Sequence, residues 1–177
     1  MRDTQIILIT GGARSGKSKY AELRAAALGS RRLYVATAEP KDEEMTRRIG
    51  EHKSRRGNEW TTIEESLELA EALLARRGQM DCALVDCLTL WLSNLLLQRD
   101  GKYAEEKVKE LVEILPRLNF HVVLVTNEVG WGIVPDNMLA RQFRDLAGWA
   151  NQQIAAAANE VVLTVAGVPM IVKKEIG

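Results

Sequence analysis

The sequence lacks a charge of its own: 24 Lys and Arg stand against 24 Asp and Glu. A basic balance that would draw nucleic acid or an anionic membrane is therefore missing, and bulk electrostatics points to neither. Cysteine is scarce, with only Cys82 and Cys87, both in or beside an apolar stretch. Thiols placed so read as reduced and hence intracellular. Long hydrophobic runs are absent as well. The longest, Leu88 to Leu97, is broken by Thr89, Ser93 and Asn94 and is too short to span a bilayer. The opening Met1-Arg2-Asp3-Thr4-Gln5 carries no signal-peptide core and no cleavage site, so a cytoplasmic protein is expected.

What is present is ordinary in bulk and particular in one stretch. The chain has 177 residues, 46% apolar and 27% charged, which suits one globular domain over residues 1–177 with a proper core. Ile6 to Tyr20 begins as an apolar run, breaks at Gly11-Gly12, passes Ala13-Arg14-Ser15 and reaches Gly16-Lys17-Ser18. Glycine, four residues, then Gly-Lys-Ser is the Walker A phosphate loop. In such a loop backbone N–H groups cradle phosphate oxygens, a lysine adds a point charge, and a hydroxyl ligands Mg²⁺. Lys17 and Ser18 take those roles here, and the helix behind them aims its positive end at the same phosphates. The competing reading is a glycine-rich strand-to-helix turn with an incidental lysine.

Along the chain, strands alternate with helices. Strands are expected at Gln5–Thr10, Leu33–Thr37, Cys82–Cys87 and Phe120–Thr126. Helices are expected at Gly16–Leu28, over 41–56, at Glu64–Arg77, Leu88–Leu97 and Tyr103–Leu115, and from an Asp136 or Asn137 cap to about Asn159. Val161–Ala166 and Met170–Lys173 frame Gly167-Val168-Pro169 as a hairpin. This order predicts a three-layer α/β fold with a mostly parallel sheet and a C-terminal antiparallel hairpin. Ligands sit at the carboxyl ends of such strands, which makes Thr37, ending the second, a nucleotide-binding candidate.

Three constellations could carry chemistry. Asp86 ends an apolar strand, the Walker B arrangement that holds Mg²⁺ with Ser18; it could equally cap the helix at Leu88. His52 shares a helix face with Met45 and Ile49, with Arg48, Arg55 and Arg56 one turn away. Those cations would keep its ring neutral and nucleophilic, fit to attack an α-phosphate. The alternative is a histidine on a solvated basic face. Asn127 to Gly132, with two glycines around Trp131, reads either as a substrate-contacting loop or as a tethered connection with Trp131 buried. His121 reads as structural, and Trp91 and Trp149 as core or subunit-contact residues.

The segments GGARSGKS, EHKSRRG, LVDCLTLWLSNLL and TNEVGWGIVPDNMLARQFRDLAGWANQQIAAAANEV together resemble the bifunctional adenosylcobinamide kinase/adenosylcobinamide-phosphate guanylyltransferases. The resemblance spans essentially the whole chain. It implies a RecA-like P-loop fold and a small homo-oligomer, a trimer in family members. It also implies phosphorylation of adenosylcobinamide by ATP or GTP, then GMP transfer from GTP onto adenosylcobinamide phosphate through a guanylylated histidine. The family's histidine-lysine pair matches His52-Lys53, and its basic nucleotide-holding segment matches Lys53, Ser54, Arg55 and Arg56. Its phosphate loop matches Gly11 to Ser18, its strand acid Asp86, and a glutamate in a similar stretch Glu64. Gly57 and Ser66 stand where family members often carry proline.

Overall fold

The computed structural model of the chain describes residues 4–39 and 59–175. The helix expected over 41–56, and with it His52, Lys53, Ser54, Arg55 and Arg56, lies outside the described residues.

A seven-stranded sheet organises the chain. Its strands are β1 (Ile6–Gly11), β2 (Arg32–Ala36), β3 (Trp60–Glu64), β4 (Cys82–Asp86), β5 (His121–Val125), β6 (Glu160–Val165) and β7 (Val168–Lys174). The spatial order is β3-β2-β4-β5-β1-β6-β7, with every neighbouring pair parallel except β6 and β7. Strand residues alternate between two apolar layers. Ile6, Leu8, Leu33, Val35, Ala83, Val85, Val122 and Leu124 face one cluster, while Ile7, Ile9, Tyr34, Leu84, Val123 and Val125 face the other. Both faces are covered, so these strands read as continuous apolar runs. Burial of each Val, Leu or Ile side chain among them contributes about 1.5–3 kcal/mol relative to exposure.

One face is covered by α1 (Lys17–Leu28), which packs on β1, β4 and β5. Arg24 of α1 forms an ion pair with the buried Glu160 at the start of β6, which fastens the helix across the sheet. The other face carries α2 (Leu69–Leu74), α3 (Leu88–Gln98), α4 (Gly101–Ile114) and α5 (Met138–Ala157). Trp91 of α3 is fully buried there, its indole N–H donating to the Leu67 carbonyl at 2.8 Å. Trp149 is half-buried on α5, with Lys109 over its ring. Caps set two helix starts. The Asp100 carboxylate accepts from the Tyr103 N–H, and the Asn137 carboxamide oxygen accepts from the Ala140 N–H. Asn137 is therefore the α5 cap, and Asp136 is not. Among the described residues, no helix is long and apolar enough to cross a membrane.

Two expectations are corrected. The helix expected over Glu64–Arg77 is only Leu69–Leu74, and the residues before it, Trp60–Glu64, form edge strand β3 in register with β2. β-Branched Thr61, Thr62 and Ile63 suit a strand, yet on a half-exposed edge they lack the apolar run that advertises one. The chain turns into α2 where the Glu65 carboxylate accepts from the Leu67 and Glu68 N–H groups. The hairpin turn is also tighter than expected. Ala166 and Gly167, at φ 50° and 83°, make a two-residue turn, and Val168 and Pro169 already belong to β7. Pro169 is tolerated there because β7 is an edge strand.

Candidate nucleotide cleft

The phosphate loop leaves the end of β1 and enters α1. Gly11 sits at φ 150°, and a Cβ there would lie 2.4 Å from the Thr164 carbonyl oxygen. Only glycine lets the loop pass so close to β6. Arg14 at φ 55° and Gly16 at φ 96° then turn the backbone back on itself. No side chain caps α1, so its first N–H groups face the loop mouth, the arrangement that receives anions. Lys17 is 7% exposed, and its ammonium donates to the Gly12 carbonyl at 2.6 Å, across the mouth of the loop.

Strand order brings the other groups alongside. β5 lies between β1 and β4, so the ends of these three strands open into one cleft of about 410 Å³. It is lined by Ala13 to Lys19, Asp86, Cys87, Val125 and Asn127. Asp86 accepts from the Tyr34 hydroxyl at 3.1 Å. It does not cap α3: the cap position is Cys87, and no side chain caps that helix. The peptide between Asp86 and Cys87 is cis. Cys87 is no nucleophile despite its place in the lining. Burial, with Asp86 beside it, pushes its thiol up to about 11.

The expected nucleotide-binding residues therefore divide. Ala13, Arg14, Ser15, Gly16, Lys17, Ser18 and Asp86 line the cleft together. Thr37 does not: it is fully buried, and its hydroxyl donates to the Cys87 carbonyl and accepts from the Cys87 N–H. It fastens the end of β2 to the β4–α3 corner. Glu64 ends β3, two strands out from Asp86 across β2, and is exposed. In the loop after β5, Trp131 is 74% exposed, which overturns the reading with a buried indole. Glu128 is tied to β1, its carboxylate accepting from the Thr10 hydroxyl at 2.6 Å and its N–H donating to the Gly11 carbonyl. His121 accepts from the Gln5 N–H, a structural role as expected.

Local sequence carries no sign of the contacts that brace the phosphate loop from β6 and the hairpin. Ser15 and Thr164 hydroxyls lie 2.8 Å apart, Thr164 donates to the Thr10 carbonyl, and the Gly167 N–H donates to the Ser15 carbonyl. All three come from residues about 150 positions from the loop in sequence. The hairpin's Gly-containing turn was visible, but its docking partner was not. Thr164→Val keeps the shape and removes the hydroxyl, leaving buried Ser15 without that partner. It is expected to weaken ATP binding about fivefold, roughly 1 kcal/mol, in a calorimetric titration. An unchanged affinity would show that the brace does not shape the loop.

Solved structures share this architecture. A KaiC-like protein from Pyrococcus horikoshii superposes with a TM-score of 0.53 at 13% identity, over 90% of this chain and 70% of its own. The P4 protein of bacteriophage phi6, solved in complex with ADP, gives 0.52 at 16% identity, over 94% of this chain and about half of its own, 52%. At such identities the likeness concerns the fold: a RecA-like P-loop fold with a mostly parallel sheet. Sequence relatives go further. The chain is 49% identical to the bifunctional adenosylcobalamin biosynthesis protein CobP of Pseudomonas aeruginosa, covering 99% of both chains. It is 43% identical to the proteins of that description, named CobU, from Escherichia coli and Salmonella typhimurium, over 95% of this chain and 99% of each of theirs. The profile of one family, cobinamide kinase / cobinamide phosphate guanyltransferase, matches residues 7–172, a span that runs from β1 into β7 and takes in every wall of the cleft. By that match and by these identities over nearly the full length, the chain belongs to the cobinamide kinase / cobinamide phosphate guanyltransferase family.

Proposed function

We propose that this chain phosphorylates adenosylcobinamide and then transfers GMP onto the product, with both nucleotides held at the phosphate-loop cleft. The observation that carries the reading is the cleft itself, where Lys17, Ser18 and Asp86 line one space beneath the uncapped end of α1. In the first step the aminopropanol hydroxyl oxygen attacks the γ-phosphorus of ATP or GTP. The bond to the β-phosphate oxygen breaks, the nucleoside diphosphate leaves, and the hydroxyl proton passes to solvent. Gly11 to Ser18 cradle the phosphates and Lys17 offsets the charge of the outer ones.

In the second step a ring nitrogen of His52 attacks the α-phosphorus of GTP and pyrophosphate leaves. A phosphate oxygen of adenosylcobinamide phosphate then displaces the histidine, breaking the N–P bond and giving adenosylcobinamide-GDP. The support for His52 is the resemblance of its EHKSRRG segment to the family's histidine-lysine pair. Lys53, Ser54, Arg55 and Arg56 belong to the same reading, as guanine-nucleotide contacts, together with Glu64, which matches a glutamate in a similar family stretch. Ser18 and Asp86 suit Mg²⁺, which takes oxygen ligands and is bound through one or two side chains plus substrate phosphates. When bound, that ion supplies charge neutralisation at the phosphates.

We further propose a cytoplasmic enzyme that works as a small homo-oligomer, a trimer by family likeness. The exposed apolar residues of β7, Val168, Met170, Ile171 and Val172, offer surface for such contacts.

The test is product analysis with cobinamide, ATP and GTP. The expected products are nucleoside diphosphate in the first step and pyrophosphate in the second, one per corrinoid converted. A kinase with a single function would release the diphosphate and never pyrophosphate. A GTP-binding regulatory protein would turn over neither.

A further inference from the structure

We infer that Asn127 is a further catalytic residue of this cleft, its carboxamide N–H contacting the γ-phosphoryl group during transfer; the inference rests on the cleft being the nucleotide site. Asn127 follows Thr126 beyond the end of β5, the strand between the phosphate-loop strand β1 and the Asp86 strand β4. Neighbouring strands lie roughly 4.8 Å apart, so its position is flanked by the loop on one side and by Asp86 on the other. Asn127 lines the cleft with Lys17, Ser18 and Asp86.

Its backbone is engaged elsewhere. The Asn127 N–H donates to the Thr89 hydroxyl at 2.8 Å, and its carbonyl accepts from the Asn151 carboxamide at 3.3 Å. The Thr126 hydroxyl donates to Asn151 at 2.8 Å and lies 3.5 Å from that of Thr89. Groups from α3 and α5 thus fix this backbone from behind. The Asn127 carboxamide has no hydrogen-bond partner among the described residues, although every polar group that holds the residue in place is paired. Its neighbour Glu128 is drawn onto Thr10 and does not line the cleft. A fixed backbone presenting one unpaired neutral donor is the construction of a preorganised electrostatic contact.

The chemistry suits a neutral amide. Phosphoryl transfer spreads charge over three equatorial oxygens as the bond to the leaving group lengthens. Lys17 already attracts the ground-state nucleotide. An amide N–H adds little there and gains strength as charge develops, so its effect belongs in kcat and not in KM.

The experiment measures cobinamide phosphorylation by the full chain, by Asn127→Ala and by the isosteric Asn127→Asp, with Lys17→Ala alongside. Thermal melts confirm that each variant is folded. The expected result for Asn127→Ala is a kcat about a hundredfold lower with the ATP KM within threefold. Asn127→Asp is expected to fall further, because a carboxylate would face the phosphates where a donor stood. A kcat within threefold of the parent for Asn127→Ala overturns the inference, as does an Asn127→Asp enzyme as active as the parent. If Lys17→Ala is harmful while Asn127→Ala is not, the inference alone fails. If neither matters, the assignment of the cleft to nucleotide fails with it.

Discussion

Replacing Lys17 by alanine is expected to lower cobinamide phosphorylation by about a hundred- to a thousandfold, and to lower guanylyl transfer with it. The ammonium is almost wholly withdrawn from solvent and is held at the loop mouth by the Gly12 carbonyl. At about 4 Å and an effective dielectric near 20, one unit charge on a phosphate is worth about 4 kcal/mol, which corresponds to roughly a thousandfold in rate. In the first reaction the γ-phosphoryl group is transferred. In the second, the β- and γ-phosphates of a GTP leave as pyrophosphate, so one lysine is expected to serve both. Single-turnover assays with ATP labelled at γ and GTP labelled at α read the two steps separately. A Lys17→Ala enzyme that loses phosphorylation but guanylylates at the parental rate would show that the second step uses another phosphate site.

His52→Ala is expected to separate the two activities that Lys17→Ala lowers together. Incubation of the parent protein with GTP labelled at the α-phosphate is expected to leave an acid-labile, alkali-stable phosphoramidate on the chain. The alanine variant is expected to lose that label, and with it guanylyl transfer, because no covalent intermediate can form. Phosphorylation is expected to remain detectable, since the attack of a hydroxyl on the γ-phosphorus needs no enzyme nucleophile. The two cysteines do not confuse the assay. Burial pushes Cys82 up to about 12 and Cys87 up to about 11, so neither supplies a thiolate at neutral pH. Full guanylyl transfer by His52→Ala would refute the covalent route.

Legibility differed from element to element for physical reasons. β1, β2, β4 and β5 are buried on both faces, so their apolar runs announced them within a residue or so of their observed ends. Helix starts were legible where a side chain makes the cap, as at Asn137. β3 was missed because an edge strand with exposed threonines has neither an apolar run nor a clean alternation. α2 was overextended because Leu67 has helical spacing to Ala70 and Leu74 yet packs from a turn. Thr37 falls one residue past the observed end of β2, and its hydroxyl closes on a backbone 50 residues away.

By itself the sequence determined the phosphate loop, because Gly16 in the left-handed region and the Gly-Lys-Ser run answer demands of the local backbone. It also determined the alternation of strands and helices, since a sheet buried on both faces writes its burial into composition. Tertiary structure alone decided which strand ends meet. Strand order depends on pairing between segments far apart in the chain, and it is this order that sets Asp86 and Asn127 beside Lys17 in one cleft. It decided as well that Thr164 and Gly167 brace the loop, because hydrogen bonds across about 150 residues follow from packing and leave no periodic trace in sequence.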